Sequence, residues 1–460
     1  MDGIFRLRRT AVPAGPKRWV PSRFNVRTHL PDGRLVIYNS YSGQFVVVPS
    51  EASSLVKASL VRPVEDELDS LQAQLFDGGF LIPEEANELH RARYMHEVEA
   101  RRPDRLHLIL MPHENCNFRC VYCYEDFAHN KMDPSVRVGL KEMVRQRARN
   151  LSHLDIGWFG GEPLLALDVI EELSTAFQEQ CSNYGISYSA SITTNGYLLT
   201  SEAVNRLFTC NVRHMQVTLD GPPSVHNKRR KLAGGGGTFH RILENLIELK
   251  NRTDPFQCVV RVNYDKESNQ VISTLISRLK DSFSGDRRFS LYFFPVGQWG
   301  GPNDENLPVC DAYEAIQLGL DLSKRAINSR MPVLQRELLA PNGSVCYASN
   351  PNAFVIGAEG SVYKCTVALD RPYNRLGRIK ADGNLVLDQD KHALWIMSDE
   401  SGDSVCERCY VRPACQGSAC PLMRIEYGQR PCPPWKKQMT KVLQLIALEE
   451  DLLATLDRKA

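Results

Sequence analysis

A chain of 460 residues with 43% hydrophobic and 24% charged side chains is long enough for two or three globular domains with their own cores. Lysine plus arginine (56) nearly balance aspartate plus glutamate (54), a formal charge of +2, so the overall charge points to neither nucleic acid nor a membrane as partner. No apolar run approaches the roughly 20 residues that span a bilayer. The start, MDGIFRLRRTAVPAGPKRW, lacks the apolar core and cleavage site of a secretory signal, so a cytoplasmic protein is expected. In that reducing compartment, cysteines crowded into short loops are expected to be metal or cluster ligands rather than disulfides.

In chain order, residues 20 to 105 read as a small αβ module: RFNVRTHL and RLVIYN flank an Asp32-Gly33 turn, GQFVVVP follows, and helix-like stretches lie around 51–59 and 64–77. From 106 to 325, short β-rich runs alternate with amphipathic segments. The runs are LHLILMP (106–112), LDIGWFG (154–160), SYSASITT (187–194), HMQVTLD (214–220), QCVVRVNY (257–264) and RFSLYFFPV (288–296). Six strand-helix units predict an α/β fold built on an open, partial (β/α)6 TIM-like barrel. Beyond about residue 330 the text is loop-rich, holds seven cysteines between 346 and 432, and closes on an amphipathic helix, KKQMTKVLQLIALEEDLLATL. The expected domains are 1–104, 105–328 and 329–460.

In parallel-strand barrels the loops at one end of the strands converge on a single mouth. The unusual residues fall there: ENCNFRCVYCYED after strand one, GGEP after strand two, an Asn-Gly after strand three, DGPP at the end of strand four, and Arg261 with Asn263 in strand five. In CNFRCVYC, Cys116, Cys120 and Cys123 are spaced so that three thiolates converge from one loop. A structural zinc takes four ligands, whereas a four-iron cluster on three cysteines keeps one iron open for a non-protein ligand. The competing reading is a zinc site completed by His113 or His129. The run GGGG at 234–237 lacks the ending of a phosphate loop and reads as a flexible connection.

The three-cysteine loop after a barrel-opening strand, with Tyr122 before its last cysteine and GGEP at the next strand end, resembles the radical S-adenosylmethionine superfamily over roughly 106–296. That resemblance implies a 4Fe-4S cluster on Cys116, Cys120 and Cys123. It further implies S-adenosylmethionine held by Tyr122, by Gly160, Gly161 and Glu162 at its methionine amino group, and by Thr194, Asn195, Arg261 and Asn263. The glycines let backbone approach the ligand. Asp220 and Arg229, in LDGPPSVHNKRR, resemble the segment bordering the substrate, with an ordinary turn and a solvated basic run as the alternative.

The later cysteines resemble the SPASM extension, which carries two auxiliary 4Fe-4S clusters and so brings the expected total to three. The resemblance assigns Cys406, Cys409, Cys415 and Cys432 to one and Cys346, Cys365 and Cys420 to the other, which is open or is closed by Cys310. The gap from Cys415 to Cys420 is four residues where the family usually has three. Zinc ribbons are the alternative. Cys181, Cys210 and Cys258 read as buried hydrophobes.

Many SPASM enzymes modify ribosomally made precursor peptides, and residues 20–105 are similar to winged-helix modules that capture a leader peptide as an added strand. The expected function is therefore crosslinking of peptide side chains, by a thioether or a carbon-carbon bond, with a flavodoxin or ferredoxin-type reductant and no nucleic acid or membrane partner. Peptide epimerisation and sulfatase maturation are the enzymatic alternatives, and a zinc or iron-sulfur scaffold is the non-enzymatic one. Sulfatase-maturing relatives carry an aspartate after the cysteine at the position of Thr366 and a glutamine-containing segment before GGEP; here the latter is WF. Both differences favour the precursor-peptide reading.

Overall fold

A computed structural model describes residues 18–65, 67–333, 336–397 and 402–457 of the chain; most of the N-terminal segment read for a signal lies outside them. At its centre is a ten-stranded sheet. Six strands are parallel neighbours in the order Phe289–Pro295, Gln257–Tyr264, Val212–Thr218, Ser187–Thr194, His153–Trp158, Arg105–Leu110, which we call barrel strands six to one. This is the parallel sheet of a partial barrel.

Helices pack on its outer face because their apolar residues recur at helical spacing. Ile272, Leu275, Ile276, Leu279 and Phe283 form the buried stripe of helix Asn269–Phe283. Val169, Ile170, Leu173, Phe177 and Cys181 do so on helix Leu167–Tyr184, which stops at Gly185 in the left-handed conformation (φ +67°). Within strands one and two every second residue is buried, while the intervening ones are partly covered or, at His153, exposed.

Beyond strand one the sheet continues into the region read as loops. Ala353–Ile356 pairs in parallel with strand one, and Ser361–Tyr363, Arg375–Ile379 and Leu385–Leu387 follow as antiparallel strands. All four residues of Ala353–Ile356 are buried, so this short apolar run closes what would otherwise be an exposed barrel edge.

The N-terminal module holds a three-stranded antiparallel sheet, Asn25–His29, Leu35–Asn39 and Phe45–Val48, with the Asp32-Gly33 turn between the first two. The middle strand is buried on both faces. Leu35 and Ile37 pack with Val56, Leu75 and Phe80 of the module itself, and Val36 and Tyr38 pack with Val442, Leu443 and Ile446 of the C-terminal helix Met439–Asp457. Period-two alternation thus joins the module to the C-terminal region. The contact extends to the cysteine-rich loops, where Arg93 pairs with Glu407 (2.5 Å) and Gln416 Nε2 donates to the Ala92 carbonyl (3.2 Å). No helix among the described residues is long and apolar enough to cross a membrane.

Candidate active site

The strand ends enclose a cavity of about 260 Å³. Cys116, Cys120 and Cys123 line it, together with Tyr122, Gly160, Gly161, Thr194, Asn195, Arg261 and Asn263, drawn from four separate stretches of sequence. Glu162, Asp220 and Arg229 do not line it.

The three-cysteine loop is anchored by a small antiparallel pairing in which Arg230–Leu232 faces Phe118–Cys120, with Arg230 opposite Cys120. Asn195 Nδ2 donates to Asn117 Oδ1 (2.7 Å), tying the end of strand three to the loop. The loop after strand six presses on it from the other side: Asn303 Nδ2 donates to the Val121 carbonyl (3.1 Å), and a Cβ on Gly301 would lie 2.5 Å from the Cys123 carbonyl oxygen.

The two glycines of GGEP make equally close approaches. A Cβ on Gly161 would stand 2.3 Å from the Asn115 carbonyl oxygen and 2.4 Å from that of Glu114, and one on Gly160 would stand 2.7 Å from Met111. Gly160 (φ +83°) and Gly161 (φ +29°) also occupy backbone conformations that favour glycine. Whatever they offer a ligand, they are already needed to seat strand two's end against strand one's.

Glu162 is fully buried behind them. Its carboxylate accepts from the Leu164 N–H (3.0 Å), the Thr194 hydroxyl (2.7 Å) and the Asn195 N–H (2.8 Å). The same pattern holds for Asp220, which accepts from the Tyr122 hydroxyl and from the backbone and side-chain N–H groups of Asn263 (both 3.1 Å). Burial raises the Tyr122 phenol well above its ordinary range, which keeps it a donor to Asp220. Tyr122 in turn accepts from Arg230 Nη1 (2.7 Å) and Asn263 Nδ2 (3.0 Å).

Arg229 pairs with Asp265 (2.9 Å) outside the cavity, while its neighbour Arg230 lines it. Successive residues point to opposite sides as the chain enters the short strand, and the charge of the basic run meets the cluster loop through Arg230. Reading the run by composition alone missed that alternation. Glu125, Tyr124, Phe159, Phe294 and Trp299 also line the cavity and were not singled out from sequence. Glu125 stands only two residues beyond the last cysteine.

The thiols fit an iron-sulfur cluster. All three are free and partly exposed, and burial pushes Cys116 and Cys123 up to about 12 and raises Cys120, so ligation displaces protons. No three His, Cys, Asp or Glu side chains among the described residues converge on a point that suits a single metal ion.

Cys406, Cys409, Cys415 and Cys432 line a second, small pocket, with Arg412, Arg430 and Lys436 around it. Lys436 Nζ lies 3.7 Å from Cys432 Sγ and Arg424 Nη2 3.8 Å from Cys406 Sγ, a cationic setting suited to bound thiolates. Cys346, Cys365 and Cys420 form another group. Burial raises Cys365 to about 12, and Cys346 and Cys420 push it the same way. The charged neighbours of Cys310 are Glu314, Asp265, Lys266 and Asp311 instead. Thr366 and Val367, directly after Cys365, line the main cavity, so this group adjoins its wall. Cys181, Cys210 and Cys258 are buried in the barrel core.

The sequence profile of the Radical SAM superfamily matches residues 110–272, the stretch that carries the three-cysteine loop and barrel strands two to five. The serine-type anaerobic sulfatase-maturating enzyme of Klebsiella aerogenes is 24% identical over 339 residues, covering 70% of this chain and 82% of that one. Among solved structures, anSMEcpe with bound AdoMet and the Cp18Cys peptide superposes with a TM-score of 0.57 at 19% identity, covering 76% of this chain and 99% of that one. SuiB of Streptococcus suis bound to its precursor peptide SuiA does so with a TM-score of 0.50 at 14% identity, covering 89% and 97%. With three thiols at the mouth of a partial barrel and the Radical SAM pattern running through its strand ends, the chain is an enzyme that carries a Radical SAM domain over residues 110–272 and is similar in sequence to the anaerobic sulfatase-maturating enzymes.

Proposed function

We propose that the enzyme modifies a ribosomally made precursor peptide, forming a thioether or carbon-carbon crosslink between side chains. The observation that carries the peptide reading is the edge of the N-terminal sheet. Strand Phe45–Val48 pairs with Leu35–Asn39 on one side and with no strand on the other among the described residues. A 350 Å³ cavity lined by Tyr38, Phe45, Leu339, Ile446 and Leu453 lies beside it. A leader segment added as a fourth strand would pair its backbone with this edge and place alternate side chains in that cavity, as in other strand-addition complexes.

In the main cavity Cys116, Cys120 and Cys123 would hold the catalytic cluster. Gly160, Gly161, Thr194, Asn195, Arg261 and Asn263 would hold S-adenosylmethionine, with Arg230 and Arg261 as the cations for its carboxylate. When bound, the pair supplies a 5′-deoxyadenosyl radical by reductive cleavage. The chain's own contribution is enclosure and orientation. Tyr124, Phe127, Phe159, Phe294 and Trp299 give the cavity apolar walls, and the Tyr122-Asp220-Asn263-Arg230 network fixes the floor. The groups at Cys406, Cys409, Cys415, Cys432 and at Cys346, Cys365, Cys420 would hold auxiliary clusters, which give the second electron of a crosslinking reaction somewhere to go.

Sulfatase maturation is a second reading, favoured by the sequence relatives. Against it, the residue after Cys365 is Thr366, whose hydroxyl bonds that of Tyr347 (3.0 Å), so no carboxylate base stands there. The test is anaerobic reconstitution and a dithionite-driven assay with the candidate precursor peptide and, separately, a sulfatase peptide. A precursor product lighter by two hydrogens, with 5′-deoxyadenosine formed, is the expected outcome; formylglycine in the sulfatase peptide would select the second reading.

A further inference from the structure

Glu125 is the one carboxylate among the residues that line the main cavity; its cations are Arg230 and Arg261. Its carboxylate accepts one hydrogen bond among the described residues, from the Gly161 N–H (2.7 Å) to Oε2. The bond fixes the side chain against the glycine segment and leaves Oε1 free. The carboxylate of the motif itself, Glu162, is the opposite case: it is fully buried, does not line the cavity and already takes three donors from Leu164, Thr194 and Asn195.

From this contrast we infer that Glu125, not Glu162, is the carboxylate that binds the amino group of S-adenosylmethionine. The inference rests on the reading of this cavity as the S-adenosylmethionine site. S-adenosylmethionine carries an amino group with N–H donors and a carboxylate. Arg230 and Arg261 supply cations for the carboxylate, and Glu125 Oε1 supplies a hydrogen-bond acceptor for the amino group. Glu162 acts one layer behind, as a positioning residue that holds Thr194 and Asn195 at the cavity wall.

The experiment is equilibrium dialysis of reconstituted holoenzyme, without reductant so that nothing is cleaved, against S-adenosylmethionine and against its deamino analogue, in which hydrogen replaces the amino group. Wild type is expected to prefer S-adenosylmethionine. In Glu125→Gln that preference falls about tenfold, the worth of one charged hydrogen bond, while affinity for the deamino analogue holds. Glu162→Gln weakens both ligands together and leaves the preference intact. An unchanged preference in Glu125→Gln, or equal weakening of both ligands, would overturn the inference and reduce Glu125 to a support for Gly161. Iron content measured on each sample reports whether the cluster site is intact. Wild type that holds iron but binds neither ligand would overturn the reading of the cavity itself.

Discussion

Gly161→Ala tests how the cluster loop is seated. The added Cβ would stand 2.3 Å from the Asn115 carbonyl oxygen, 2.4 Å from that of Glu114 and 2.7 Å from the Asn115 carbonyl carbon. All three are backbone atoms, so no rotamer change relieves the contact. Two costs add. Overpacking of this kind is worth about 1–3 kcal/mol, and an L-residue in a left-handed conformation about 1–2 kcal/mol more. The sum, about 2–5 kcal/mol, corresponds to a factor of about thirty to several thousand in an equilibrium constant.

The chain can absorb it by destabilising the fold or by pushing residues 114–116 out of place. Gly185→Ala is the matched control, because Gly185 has φ +67° but nothing within 4 Å of its Cβ position, so it carries the conformational cost alone. The assay is a denaturant midpoint for the iron-free proteins together with S-adenosylmethionine dialysis for the reconstituted ones. Gly185→Ala should lose about 1 kcal/mol and bind normally. Gly161→Ala should lose about 1–3 kcal/mol more, or fold and fail to bind. If the two variants match in both measurements, the close approach of strand ends is not what the glycine is for.

Cys120→Ala should abolish 5′-deoxyadenosine formation while iron remains at the other cysteine groups, measured by iron quantification and chromatography; full activity would refute the cluster assignment. Cys432→Ser should lower iron by about four per chain, whereas Cys310→Ser, whose charged neighbours are Glu314, Asp265, Lys266 and Asp311, should leave it unchanged. His226 carries a pH signature. It accepts from the Asp220 N–H at Nδ1 (3.1 Å), so its proton sits on Nε2 toward Thr238. Burial lowers its pKa from 6.5 to about 3. Protonation therefore favours the unfolded chain: the stabilisation is complete above the unfolded value and is lost as pH falls below it. From about pH 7 to pH 5 wild type should lose about 2 kcal/mol relative to His226→Gln, read from urea midpoints. Parallel loss in both proteins would show that His226 is not the titrating group.

Much of the barrel was legible because its rules are local. Strands Ser187–Thr194 and Gln257–Tyr264 occupy the residues that the β-rich runs mark, and the other four differ by one or two residues at their ends. The strand Ala353–Ile356 was not legible, because its partner lies 246 residues earlier and nothing in AFVI announces where it docks. At the site, the residue types that must converge were readable from motifs at strand ends, while side-chain direction was not. Arg230 faces the cavity and Arg229 does not because of a three-residue pairing with Phe118–Cys120. Glu162 does not line the cavity, and Thr194, Asn195 and Leu164 claim its carboxylate, a competition visible only once strand three lies beside strand two.

The three-cysteine loop has little regular structure of its own beyond Phe118–Cys120, yet it is met from four directions. Gly161 abuts the carbonyls of Glu114 and Asn115, Asn195 bonds Asn117, Arg230–Leu232 pairs with Phe118–Cys120, and Gly301 and Asn303 cover Val121 and Cys123. These contacts come from the loops after strands two, three, four and six. A loop fixed this way has its thiols placed before any iron arrives, which lowers the ordering cost of cluster assembly. The barrel's contribution to chemistry is thus to make the shape of one loop depend on the ends of several strands. Substitutions as far apart as Gly161 and Gly301 are then expected to converge on the same defect at Cys116, Cys120 and Cys123.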